Sequence, residues 1–143
     1  MKITLFYTTV MILLTGCSTV QTLPNGSTDV THITHSKEEA EKYWVASNKV
    51  APKYPISAAR DKVAGCSRYQ IKIDTMGNTI DSVLLESYPS NVFIAPSIAA
   101  LRKWTWKPTV QNENRTPIIR TVQLDFYIED AGNYDQAKEH CTV

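Results

Sequence analysis

The chain has no excess of either charge, with 15 Lys and Arg against 14 Asp and Glu. A face that neutralises phosphates needs clustered cations, so the balance argues against a nucleic-acid partner. Cysteine is sparse as well. Cys17, Cys66 and Cys141 stand too far apart to form the close pairs, such as C-x-x-C, on which a zinc knuckle is built. His32 and His35 have metal-like spacing, but they lie in a polar stretch that lacks a third ligand and the Glu of a hydrolase motif, so no metal or cofactor is expected. The remaining candidates for chemistry are His140, Cys66 and scattered Ser and Asp residues. They form no recognisable nucleophile and base arrangement, and an enzyme is not expected. Only the N-terminus holds a long apolar run. With 143 residues and 43% hydrophobic content, the chain has room for one compact domain plus processing and tether segments.

Residues 1–16 form that run: Lys2 is followed by Ile3, Leu5, Phe6, Val10, Met11, Ile12, Leu13 and Leu14. It is short for a ~20-residue membrane span and has the basic flank of a cleavable signal. It ends in Leu14-Thr15-Gly16-Cys17, which resembles the lipobox of bacterial lipoproteins. The resemblance implies cleavage before Cys17, a diacylglycerol on its thiol and anchoring at the periplasmic face of a membrane. Ser18 after the cysteine is similar to the outer-membrane sorting pattern. Acyl chains hold a protein at a bilayer without a spanning helix, at ~0.8 kcal/mol per buried methylene.

Residues 17–35 are rich in Ser, Thr, Asn and Gly without apolar periodicity, and are expected to be the lipidated end and a flexible tether. Ser36-Lys37-Glu38-Glu39 matches a capping box, and Ala40, Tyr43 and Trp44 follow at helical spacing, so a short amphipathic helix is expected within 36–50. Pro52-Lys53-Tyr54-Pro55 reads as extended chain leading into a turn or two of helix that Gly65 ends. From Cys66 the period becomes two: Tyr69, Ile71 and Ile73 share one face, and Arg68, Gln70 and Lys72 the other. The turn residues of 74–78 make a hairpin with a second strand over 79–87, where a slip of apolar phase after Ile80 suggests a β-bulge. Ile94, Ile98 and Leu101 mark a main helix that should run on to Trp104, with Pro108 as its stop. A third strand is expected over 118–128. The main helix returns the chain, so this strand should pair antiparallel with the first and lie at a sheet edge. The expected fold is α+β, a three-stranded antiparallel sheet with two helices on one face.

Residues 52–128 resemble the C-terminal domain of the TonB family of energy transducers. Tyr54-Pro55 followed by Ala58-Ala59 looks like the family's YP-x-x-A opening. Asp74-x-x-Gly77 with Ile80, Asp81 and Val83 looks like its hairpin motif, and Ser87-x-Pro89 fits its strand exit. The most specific piece runs Ala99-Ala100-Leu101-Arg102-Lys103-Trp104-Thr105-Trp106-Lys107-Pro108, similar to R-x-W-x-[FYW]-x-P. The resemblance implies that a short extended segment of a protein partner, such as a TonB-dependent transporter or another envelope protein, adds as a strand to the third strand's edge. The edge residues would be Ile118, Ile119, Arg120, Thr121, Val122, Gln123, Leu124, Asp125 and Phe126, with Lys53, Tyr54 and Arg60 as a secondary binding set. The alternative is an edge paired within the domain or blocked by the tail. The bland reading of Trp104 and Trp106 is core packing.

On this division 1–16 is signal peptide, 17–35 tether, 36–50 helix, 51–130 domain and 131–143 a C-terminal tail. An uncleaved motor helix and a long Pro-rich spacer, which a transducer has, are not among these segments. The readings left open are a strand-accepting lipoprotein, a purely structural envelope lipoprotein, an accessory of TonB-dependent transport, and a homodimer through paired edges. Once Cys17 is acylated, Cys66 and Cys141 remain as an even pair in an oxidising compartment. A disulfide tying the tail to the first strand is expected, with two free thiols as the alternative.

Overall fold

The computed structural model describes residues 32–34 and 36–142. Cys17, His35 and the expected signal peptide lie outside these residues, as does most of the tether. The elements in chain order are β1 (His32–Ile33), α1 (Lys37–Tyr43), β2 (Trp44–Asn48), α2 (Ile56–Arg60), β3 (Gly65–Ile73), β4 (Thr79–Tyr88), α3 (Ile94–Leu101), β5 (Thr105–Pro108), β6 (Ile118–Phe126) and α4 (Tyr134–Cys141). They form an α+β fold with a four-stranded sheet, order β1-β6-β3-β4, and a two-stranded sheet of β2 and β5.

β3 and β6 are the centre of the larger sheet. Each alternates buried and less buried residues, because period-two side chains point to opposite faces. They pair antiparallel from Gly65 opposite Phe126 to Ile73 opposite Ile118. The core face collects Tyr69, Ile71, Ile73, Val122, Leu124 and Phe126, all buried. α3 covers it. The Ser67 and Ser97 hydroxyls bond at 2.6 Å, the Tyr69 hydroxyl donates to the Ile94 carbonyl at 3.1 Å, and the Phe93 and Phe126 rings stack at 4.2 Å.

The β3–β4 turn follows from its residues. The Asp74 carboxylate accepts from the Met76 and Asn78 backbone N–H groups at 2.9 and 2.7 Å, an Asx arrangement, and Gly77 takes φ +82°. A side chain at Gly77 would also strike the Trp106 carbonyl, to which its Cβ would lie 2.2 Å away. β4 shifts register twice against β3, once by Ile80 and once by Leu85. The apolar phase slip in the sequence therefore has two bulges behind it, and they blunt β4 as the sheet's other edge.

Several boundaries differ from the sequence reading. α1 is capped by the Ser36 hydroxyl, which accepts from the Glu39 N–H at 3.1 Å, but it ends at Tyr43. Residues 44–48 are strand rather than helix. The main helix stops at Leu101, where its last turn tightens into 3-10 bonds from Lys103 to Ala100 and from Trp104 to Leu101. Thr105–Pro108 then runs extended against β2. The two corrections share one cause. Trp44-Val45 and Thr105-Trp106 are β-favouring pairs, Lys107 precedes a proline, and each segment supplies the other's ladder. Helical spacing in the sequence was outweighed by a tertiary partner. All three indoles find acceptors, Trp44 at Thr116 (2.8 Å), Trp104 at Val50 (2.9 Å) and Trp106 at the Thr79 hydroxyl (3.0 Å), and all three rings are buried.

The C-terminal stretch from 131 is not a bare tail: it holds α4, which lies on the face opposite α3. Cys66, on β3's other side-chain set, is joined to Cys141 by a disulfide, and Tyr88 beside it stacks on His140 at 4.4 Å. Asn133 anchors the approach, its amide bonding both the N–H and C=O of Ala64. Helices thus cover both faces at this end. Replacing Cys141 by Ser should lower stability by about 2 to 4 kcal/mol, since the bridge closes a long loop in the unfolded chain. Denaturant titration of the variant against the parent chain measures this. A loss under 0.5 kcal/mol in oxidising buffer would show that the bridge does not form in solution.

Candidate functional site

β6 lies between β3 and the two-residue β1, so among the described residues most of its outer side has no strand beside it. In an antiparallel pair the N–H and C=O of successive residues turn alternately toward and away from the partner. The Ile119 carbonyl points outward, because it accepts from the Thr34 N–H and hydroxyl, each at 2.9 Å. The same alternation turns the backbone groups of Thr121, Gln123 and Asp125 outward. Among the described residues no hydrogen bond reaches these groups. The result is a row of free donors and acceptors at the pitch a β-strand needs.

The nine candidate edge residues divide by face. Ile118, Arg120, Val122, Leu124 and Phe126 are buried in the core, so they offer a partner no side chain, and Arg120 shows how. Its guanidinium carbon lies 4.9 Å from the centre of the Trp106 ring, and its Nε is buried with no hydrogen-bond partner among the described residues. Burial pushes its pKa down, with the Glu41 charge opposing. Lys49 sits over Trp104 at 5.2 Å, its pKa lowered first by burial and then by the Arg120 charge. Thr121 and Asp125 are exposed on the other face. Gln123 is held there, its Oε1 accepting from Arg68 Nε at 3.0 Å and its Nε2 donating to the Cys141 carbonyl at 2.6 Å.

At Ile118 and Ile119 the open edge is interrupted. β1 pairs there in parallel, His32 with Ile118 and Ile33 with Ile119. Residues 32–34 were read as flexible tether, and no apolar period marked them. The one available signal was the β-favouring Ile33-Thr34 pair.

The secondary residues do not gather into one site. Tyr54 is a core-edge residue: its hydroxyl donates to the Val63 carbonyl at 2.7 Å, and its ring meets Phe93 and Phe126 edge-on, each at 5.7 Å. Burial raises its pKa. Arg60 is exposed on α2 and pairs with Asp61 at 2.9 Å, while Lys53 is exposed in the segment before it. Among the described residues no group of three or more His, Cys, Asp or Glu could hold a metal, and no helix is long and apolar enough to cross a membrane.

These features define a small α+β domain with a sheet edge open on one side. The family model for the Gram-negative bacterial TonB protein C-terminal matches residues 50–128, more than half of the chain, and the chain belongs to that family. It is 29% identical over 70 residues to Protein TonB of Vibrio cholerae serotype O1, an alignment covering 49% of this chain and 29% of that protein. The chain therefore spans less than a third of that relative's length. The solution NMR structure of the Pseudomonas aeruginosa TonB CTD superposes with a TM-score of 0.53 at 23% identity, over 71% of this chain and 97% of that one, a likeness of fold.

Proposed function

We propose that this chain is a lipid-anchored interaction module of the bacterial envelope, with no catalytic role, in which an extended segment of another protein adds as a strand to the outer edge of β6. The observation that carries the reading is the outward row at Thr121, Gln123 and Asp125, unpaired among the described residues, on a four-stranded sheet. Strand addition gains affinity from such backbone groups and specificity from alternate side chains. Family membership favours a partner in TonB-dependent transport, and the Cys17 lipobox favours the periplasmic face of a membrane, the outer one by the residue at 18. Mass spectrometry of the mature N-terminus checks the anchor, since a lipidated Cys17 carries the added mass of its acyl chains.

Thr121→Pro tests the edge. Proline removes an outward N–H while leaving the donors that face β3, so the domain should stay folded with about 1 kcal/mol lost. A synthetic peptide from a periplasm-facing segment of a TonB-dependent transporter should shift the amide signals of Thr121, Gln123 and Asp125 in the parent chain. It should bind the variant at least ~10-fold more weakly. Shifts confined to α3 would defeat the reading. The second reading, a purely structural envelope lipoprotein, draws on the cover that β1 gives the start of the edge.

A further inference from the structure

The segment at the start of the β6 edge is attached in an unusual way. β1 has two residues, pairs in parallel and, among the described residues, bonds on one side only. Parallel pairing is the slightly weaker kind. Ile33, the side chain that could add apolar cohesion, is 51% exposed. The contact is concentrated in Thr34, 6% exposed, whose N–H and hydroxyl both donate to the Ile119 carbonyl. Just beyond, Ser36 caps α1, and Ala40 and Trp44 are fully buried, so the chain after residue 36 is fixed independently of β1. A short strand on a firm root can leave the edge and return without disturbing the core, as expected of the low-stability end of a domain.

From this geometry we infer that His32–Thr34 is a displaceable internal occupant of the β6 edge. A partner strand that displaces it gains the Ile119 acceptor, and a strand that leaves it in place is confined to the stretch from Thr121 onward. The partner side of this inference rests on the strand-addition reading. The occupancy itself rests on the pairing alone. A tethered segment competes at high effective concentration, so a partner needs more pairs than β1 makes in order to win. A strand reaching from Ile119 to Asp125 meets four outward residues where β1 meets one.

The experiment uses the full chain solubilised in detergent and followed by NMR. Without any ligand, the Thr34 amide should exchange with solvent at least a hundred-fold faster than that of Val122. Equal protection would make β1 an integral strand and overturn the inference. Two peptides from the transporter segment named above, five and nine residues long, are then compared. The longer should move the Ile33 and Thr34 amide signals and the shorter should not. Thr34→Pro, which removes both donors to Ile119, should tighten the longer peptide on the order of ten-fold and leave the shorter unchanged. If the longer peptide binds with Ile33 and Thr34 unmoved and with no gain in the variant, the inference fails. If neither peptide shifts the edge in either protein while Thr34 exchanges fast, displaceable occupancy stands and the strand-addition reading fails.

Discussion

Trp44→Ala should cost the domain roughly 3 to 5 kcal/mol, as expected for truncating a fully buried indole. Trp44 opens β2, and its indole N–H donates to the Thr116 carbonyl at 2.8 Å, so it joins the α1–β2 unit to the loop that leads into β6. Its ring also lies against Gly77, at 3.1 Å from where a Cβ there would stand. The alanine variant leaves a cavity and removes the shorter of the two hydrogen bonds to the Thr116 carbonyl, leaving only the Asn112 amide at 3.4 Å. Trp44→Phe keeps most of the volume and loses the donor, and should cost about 1 to 2 kcal/mol. Denaturant unfolding followed by circular dichroism separates the three chains. A loss below 1 kcal/mol for alanine would mean that α1 and β2 lie outside the cooperative core.

Gly65→Ala should be at least as severe, on the order of 3 kcal/mol or more and a drop near 10 °C in Tm. A Cβ at Gly65 would sit 1.9 Å from the Tyr88 carbonyl oxygen and 2.8 Å from the Phe93 ring. The ring could turn aside, but the carbonyl belongs to the strand paired with Cys66 and has nowhere to go without opening that end of the β3–β4 ladder. Gly132→Ala is the matched control: nothing lies within 4 Å of its added methyl group, and its Tm should stay within about 1 °C of the parent. Thermal scans of both variants decide the matter, and a Gly65 variant melting with the parent would show that this end of the sheet yields.

What the sequence made legible was governed by short-range physics. The alternation from Tyr69 to Ile73 defined β3 because one face had to be buried, and Asp74 with Gly77 defined the turn because few residues adopt that geometry. Helical spacing at Ala40, Tyr43 and Trp44 gave one correct turn and one wrong one. It carried no information about a partner strand sixty residues later, and that partner decided the state of Trp44 and Trp106. α4 escaped notice because only Ala137 and Cys141 of its eight residues are buried. At the candidate site the strand and its antiparallel pairing with β3 were readable, but it is not the outermost strand, because β1 pairs beyond it at Ile118 and Ile119. Which of its two faces turns inward was not readable, since both carry apolar residues, Ile118, Val122 and Leu124 on one and Ile119 and Tyr127 on the other. The pairing of residues 32–34 was not readable, since two residues are too short for any period.

The disulfide has a mechanical consequence. Cys66 and Cys141 are 75 residues apart in sequence, and the covalent ring they close contains nearly all of β3 and the whole of β4, α3, β5 and β6. If tension were applied between a strand gripped on β6 and the N-terminal side of the chain, the bridge would carry the load from Cys141 to Cys66, so that β3, β4, α3 and β5 could not be drawn out farther than the short stretch between Phe126 and Cys141 allows. The roughly 34 residues from His32 to Gly65 lie outside the ring, and fully extended they span at most on the order of 120 Å at ~3.5 Å each. The domain would act as a closed clasp on an extensible cord, with most of its give on the N-terminal side of Cys66.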